Sequence, residues 1–202
     1  LAVRDTKVES IVKEAKRLGA TSAKAIRTED VFVDERVRFK CMVPLCENYG
    51  RHLMCLSGLM SLDEFRRTLK AYRTAILVQL ESDTDSLDKS DLELDGKLAR
   101  RLQRETGASR MERRLHSLIG DLETFAFKSG FHMAAGLIGS ECLLCDECVG
   151  QSSGGACRHP FKARPSMQAL GIDVIRTTQK AGMPVKLSSR NKVRWTGLIL
   201  LE

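Results

Sequence analysis

The sequence predicts an α/β domain, a small central sheet covered by helices, with two long cysteine-bearing loops. Three observations carry that expectation. Capping boxes announce several helices. Short apolar runs between them are too brief for helices and read as buried strands. Two Gly- and Pro-punctuated stretches, 41–59 and 139–165, hold all seven cysteines and show no helical or strand period.

Thr6-x-x-Glu9 opens a first helix with Val8, Ile11, Val12, Ala15 and Leu18 on one face and Gly19 as its stop. Ser61-x-x-Glu64 opens a second, with Leu62, Phe65 and Leu69 inward. Ser109-x-x-Glu112 opens a third, with Met111, Leu115, Leu118, Ile119, Leu122 and Phe125 inward and Gly130 at its end. In such a box the hydroxyl accepts from the N–H three residues on, and the acid reaches back to the cap N–H. Donors that a helix leaves orphaned are thereby satisfied. A further helical stretch runs through Leu92, Leu94, Leu98 and Leu102. Pro165 begins a short helix closed by Gly171, and another spans Val174 to Ala181 before Gly182.

Thr74 to Leu80 (TAILVQL), Met133 to Ile138 and Leu198 to Leu201 read as strands, and Val31–Val33 with Val37–Phe39 as a hairpin. Long connections between the apolar strands call for helices over the sheet. The whole of 1–202 fits a single domain.

Hydrophobic residues at 43% allow a packed core. No run approaches the roughly 20 apolar residues of a membrane span, and no export signal is visible, so a cytoplasmic protein is expected. The net charge of +7 favours acidic partners, but aromatics are only 5%, which argues against a base-stacking nucleic-acid surface. An odd number of cysteines without an export signal argues against a disulfide framework.

The second cysteine group reads Cys142-x2-Cys145-x2-Cys148-x8-Cys157. Three thiolates at every third residue let a short loop wrap a compact object, each sulfur reaching a different iron of a cubane. Gly150 to Gly155, rich in Gly and Ser, gives the return path to the fourth. Four thiolates around zinc are the alternative, although zinc sites more often divide into two separate pairs. The first group, Cys41-x4-Cys46-x8-Cys55, supplies three thiolates. They suit a second [4Fe-4S] cluster with one iron open, or zinc completed by His52; ordinary buried thiols are the plain alternative. A CxxxCxxC motif, a Walker loop, GxGxxG, GxSxG and HExxH are all absent from the chain.

Arg158, His159, Lys162 and Arg164 follow Cys157 closely. They are candidates to offset the negative charge of a thiolate-bound cluster, against the alternative of a solvated basic loop. His116 and His132 lie among apolar residues and read as core or surface. The acids from Asp83 to Asp95 lack calcium-loop spacing. Arg176, Lys180, Lys186, Arg190, Lys192 and Arg194 form a basic end that either docks an acidic redox partner or solubilises the chain.

The run KCMVPLCENYGRHLMC (Lys40 to Cys55) resembles the CxxPxCPxYGxxxxC signature of the predicted metal-binding family catalogued as domain of unknown function 2284. The run from Cys142 to Val174, CLLCDECVGQSSGGACRHPFKARPSMQALGIDV, is similar to that family's second signature, CxxCxxC followed by CRHPxxARPSMEAxGIDV. Leu69 and Tyr72, before the first buried strand, match as well. The chain departs at Glu47 and at Leu56-Ser57, where the family usually has Pro. The resemblance implies metal binding, with iron–sulfur the expected form, in a family mostly of anaerobic archaea and bacteria with no established reaction. The expected role is electron transfer or redox activation of a partner enzyme; an open iron would add chemistry on a small ligand. The rival is a zinc-stapled module that binds protein or nucleic acid.

Overall fold

The computed structural model describes residues 2–56, 58–83, 107–185, 188–189 and 192–202. Strands β1 (Ser22–Arg27), β2 (Thr74–Asp83), β3 (Ala135–Ile138) and β5 (Lys192–Leu201) form an antiparallel sheet in the order β1-β2-β5-β3, and the short β4 (Ser188–Ser189) pairs with β5. The register sets Thr74 opposite Leu201 and Asp83 opposite Lys192. Helices α1 (Ala2–Arg17) and α4 (Gly107–Lys128) cover one face. Helix α3 (Leu62–Leu69), a buried turn through Met167, Leu170 and Ile172, and residues flanking α6 (Val174–Lys180) cover the other. Two further helices, α2 (Glu35–Met42) and α5 (Val149–Ser152), lie in or beside the cysteine segments.

Side chains alternate across a strand, so β2 sends Ile76, Val78 and Leu80 toward α1 and α4 and Ala75 and Leu77 to the opposite layer. In β5, Ile199 and Leu201 face one layer and Leu198 and Leu200 the other. The continuous apolar runs in the sequence therefore report two-sided burial. Such runs are more usual in parallel sheets, yet every strand–strand pairing among the described residues is antiparallel. Gly197 lies mid-strand for a steric reason. A Cβ there would come within 2.7 Å of the Ile119 side chain, so only glycine lets α4 lie this close.

The Ser61 box forms as expected: Ser61 Oγ accepts from Glu64 N–H at 3.3 Å, and the Glu64 carboxylate accepts from Ser61 N–H at 2.8 Å. Elsewhere the boundaries move. Helix α1 starts at Ala2 and α4 at Gly107, so Thr6 and Ser109 lie inside helices. No hairpin forms at 31–39. Asp34 accepts from Arg36 N–H at 2.8 Å and caps α2, which draws Val37–Phe39 into a helix. Val33 makes a lone bridge with Ile172. Residues after Pro165 form turns rather than a helix, because Ser166 and Met167 exchange backbone contacts with Met54 and Ile138. β1 was not expected from its sparse apolar content. The stretch through Leu92–Leu102 and the acids beyond Asp83 lie outside the described residues.

Candidate metal centre

Cys41 sits in the last turn of α2. The chain then folds through tight turns that fix the other thiols of the first group. Cys46 N–H donates to Cys41 O at 3.0 Å, Tyr49 N–H to Cys46 O at 3.0 Å, and Cys55 N–H to His52 O at 2.9 Å. In the second group Cys148 occupies the N-cap position of α5 without a side-chain bond to the helix, and the buried Val149 anchors that turn. Two sulfurs receive backbone N–H groups from two residues on: His159 N–H points to Cys157 Sγ at 3.4 Å, and the backbone of Leu144 bonds Cys142.

The two segments touch. Ser166 N–H donates to Met54 O at 2.9 Å. Gly150 lies so close to Arg51 that a Cβ would stand 2.9 Å from its carbonyl. His52 hydrogen-bonds the backbone of Cys142. All seven thiols are free and half-buried. Burial, and then the negative charges of Glu141, Cys46, Cys41 and Cys142, push the Cys55 thiol up to about 12. Cys41 is raised by burial and by Cys46, against Arg38. Cys142 is raised by burial and by Cys157, Cys145 and Cys148, while the Leu144 backbone lowers it. Cys142 thus shares the electrostatic field of both groups. Ionising Cys41, Cys55 or Cys142 would set a negative charge against neighbouring sulfurs, and a cation among them would reverse that repulsion.

Among the described residues, no three of His, Cys, Asp and Glu are placed to hold a metal ion. The sulfurs are neighbours, not a closed ligand shell. The donor chemistry nevertheless fits: thiolates are the ligands of iron–sulfur and zinc centres. Backbone N–H bonds to sulfur are among the contacts that tune such centres.

The basic residues after Cys157 divide by position. Arg158 donates to Glu147 O at 2.9 Å, pinning the return segment beside Cys148. His159 contributes its N–H to Cys157 Sγ, and its side chain is half-buried. Arg164 is buried and meets Glu123 of α4 at 2.8 Å and the carbonyls of Phe161 and Ala163 at 3.1 and 3.0 Å. Glu123 also accepts Gly136 N–H, so Arg164 ties this segment to α4 and β3. His116 adds a ring nitrogen at 2.8 Å from Lys162 O. At the basic end, Lys192 and Arg194 pair with Glu81 at 2.6 and 2.5 Å, Lys180 meets Asp30 at 3.7 Å, and Arg176 lies over the Phe32 ring at 3.9 Å. Lys186 and Arg190 lie outside the described residues.

Sequence reasoning missed two carboxyls. Burial, then Glu141, pushes Glu112 up to about 7 against the pull of Arg113. Burial and Glu47 raise Glu141 in turn. Adjacency to Cys142 was a signal for Glu141. The Ser109-x-x-Glu112 pattern assigns Glu112 to a capping box, and nothing in its neighbours signals burial beside a second acid.

The family model for domain of unknown function 2284, described as predicted metal-binding protein, matches residues 24–201. The chain belongs to this family. Both cysteine groups fall inside the match, so this predicted metal-binding family spans the sheet and the two thiol segments alike. No curated protein and no solved structure matches the chain significantly. No helix among the described residues is long and apolar enough to cross a membrane.

Proposed function

We propose that the protein is an iron–sulfur protein that passes electrons to, or redox-activates, a partner protein. Cys142, Cys145, Cys148 and Cys157 hold a [4Fe-4S] cluster, and Cys41, Cys46 and Cys55 hold a second metal centre with one position open. The observation that carries this reading is the contact between the two cysteine segments, where Ser166 N–H donates to Met54 O at 2.9 Å and Gly150 packs against the Arg51 carbonyl. A cluster, when bound, supplies the one-electron chemistry. The chain supplies the thiolates, partial burial from water, and N–H bonds to Cys142 and Cys157 that stabilise added negative charge. Arg158 places a cation on the return segment near Cys157 and Cys148.

Anaerobic purification followed by iron, sulfide and zinc analysis, with EPR of the reduced protein, tests this. Brown protein with broad visible absorbance and matching iron and sulfide is expected. Cys145→Ser should remove the iron of the four-cysteine centre, and Cys46→Ser should spare it. A colourless protein with stoichiometric zinc would overturn the redox role in favour of zinc-stapled loops on a binding module.

A further inference from the structure

A second site lies away from the thiols, at the end of the sheet where β1 finishes and β2 begins. There a groove of about 710 Å³ opens between the Thr28–Asp30 turn and the end of α3. Its apolar lining comes from Val31, Val33, Leu69 and Tyr72. Its polar lining is strongly one-sided: Arg27, Arg66, Lys70 and Arg73 against the single acid Glu29. Arg27 is spoken for by Glu29 at 3.0 Å, and Arg66 by Asp63 at 2.9 Å. Lys70 and Arg73 are exposed and have no acidic partner among the described residues. Lys70 follows the last residue of α3, where a cation is favoured by the helix dipole alone. Arg73 lies beyond the helix and has no such explanation.

The chemistry of this lining selects its occupant. A divalent cation would meet an excess of positive charge. A bare inorganic anion would gain nothing from the apolar floor, and two water-exposed cations hold such an ion weakly. A neutral apolar molecule would draw nothing from these two cations, which have no acidic partner among the described residues. The volume is that of a small-molecule site. We propose that this groove binds an amphipathic organic anion, its oxyanion group held by Lys70 and Arg73 and its apolar body laid on Val31, Val33, Leu69 and Tyr72. A guanidinium fork beside an ammonium suits either a carboxylate or a phosphate head.

Isothermal titration of the anaerobically purified full chain with octanoate, octyl phosphate and 1-octanol tests the proposal. At least one of the two anions should bind roughly tenfold or more tighter than 1-octanol at low salt, a gap of about 1.4 kcal/mol. The tighter of the two anions names the head group. Lys70→Ala with Arg73→Ala should erase that advantage while leaving the circular dichroism unchanged, since both side chains are exposed. Phe39→Ser, on a separate exposed apolar patch, should leave binding intact. Equal binding of 1-octanol, no binding of either anion, full retention in the double variant, or loss in Phe39→Ser would each overturn it. Metal content is read separately on the same samples, so failure here leaves the iron–sulfur reading standing or falling by itself.

Discussion

Ile76, Ile119, Leu122 and Ile199 are wholly buried in the sheet body, whereas every thiol of the two cysteine segments keeps part of its surface in water. The body is closed by apolar contact on both faces of β2 and β5. In the cysteine segments Leu56 and Val149 are buried, but much of the order comes from polar clamps: Arg158 to Glu147, His116 to Lys162, Arg164 to Glu123 and Ser166 to Met54. The difference teaches that the body supplies stability by area, while the thiol segments are positioned by a few directional bonds. Directional bonds contribute little net stability each, yet leave a costly orphan when one partner is removed.

The sharpest way to break this division is in the body. Leu122→Ala should cost about 2–5 kcal/mol, measured by denaturant unfolding, while the protein that remains folded keeps its full metal content. Loss of metal in step with stability would show that the two regions are one cooperative unit. Glu123→Ala comes next, because it leaves the buried Arg164 guanidinium without its counter-ion. About 2–3 kcal/mol is expected, together with faster amide exchange across 157–165. Exchange changes confined to α4 would sink the idea that Arg164 anchors the return segment.

A smaller effect separates two neighbouring groups on α4 by pH. The folded Glu112 carboxyl is raised from 4.5 to about 7, so its contribution is fully present below 4.5 and is lost as pH rises through 7. Glu112→Gln should therefore be more stable than the parent at pH 8 by about 1–2 kcal/mol. His116 runs the other way. Burial depresses its ring, so its contribution holds above the ordinary histidine value of about 6.5 and falls away as pH drops through the folded value. His116→Gln should flatten the acid limb of the stability curve, and an unchanged limb would remove His116 as its cause. The smallest effect is at Asp34, where Asp34→Ala should cost about 1 kcal/mol through loss of the α2 cap. Because α2 buries no residue, that loss should appear as fraying around Cys41 in amide exchange rather than as a lower melting temperature.

The sequence made the body legible where burial leaves a period or an apolar run. Ser61 with Glu64, the run from Thr74, and the stripe from Leu115 to Phe125 all fall in the expected elements. β1 escaped because SAKAIR is an edge strand with no fully buried residue, so its apolar signal is thin. The 31–39 hairpin failed because alternation in VFVDERVRF looks the same whether or not Asp34 turns the chain into a helix. At the thiol segments, the spacing of Cys142 to Cys157 points to metal-ligand chemistry in the sequence. The meeting of His52 with Cys142, and of Glu112 with Glu141, was not legible there, since each joins residues far apart in sequence through packing that no local pattern encodes.

β5 follows all seven thiols in the sequence, and it pairs with β2, β3 and β4 while feeding both apolar layers. On a ribosome, all seven thiols emerge before the segment that completes the sheet. Any metal taken up before that moment would meet an unfinished sheet, so the topology sets the order in which the thiols and their scaffold become available.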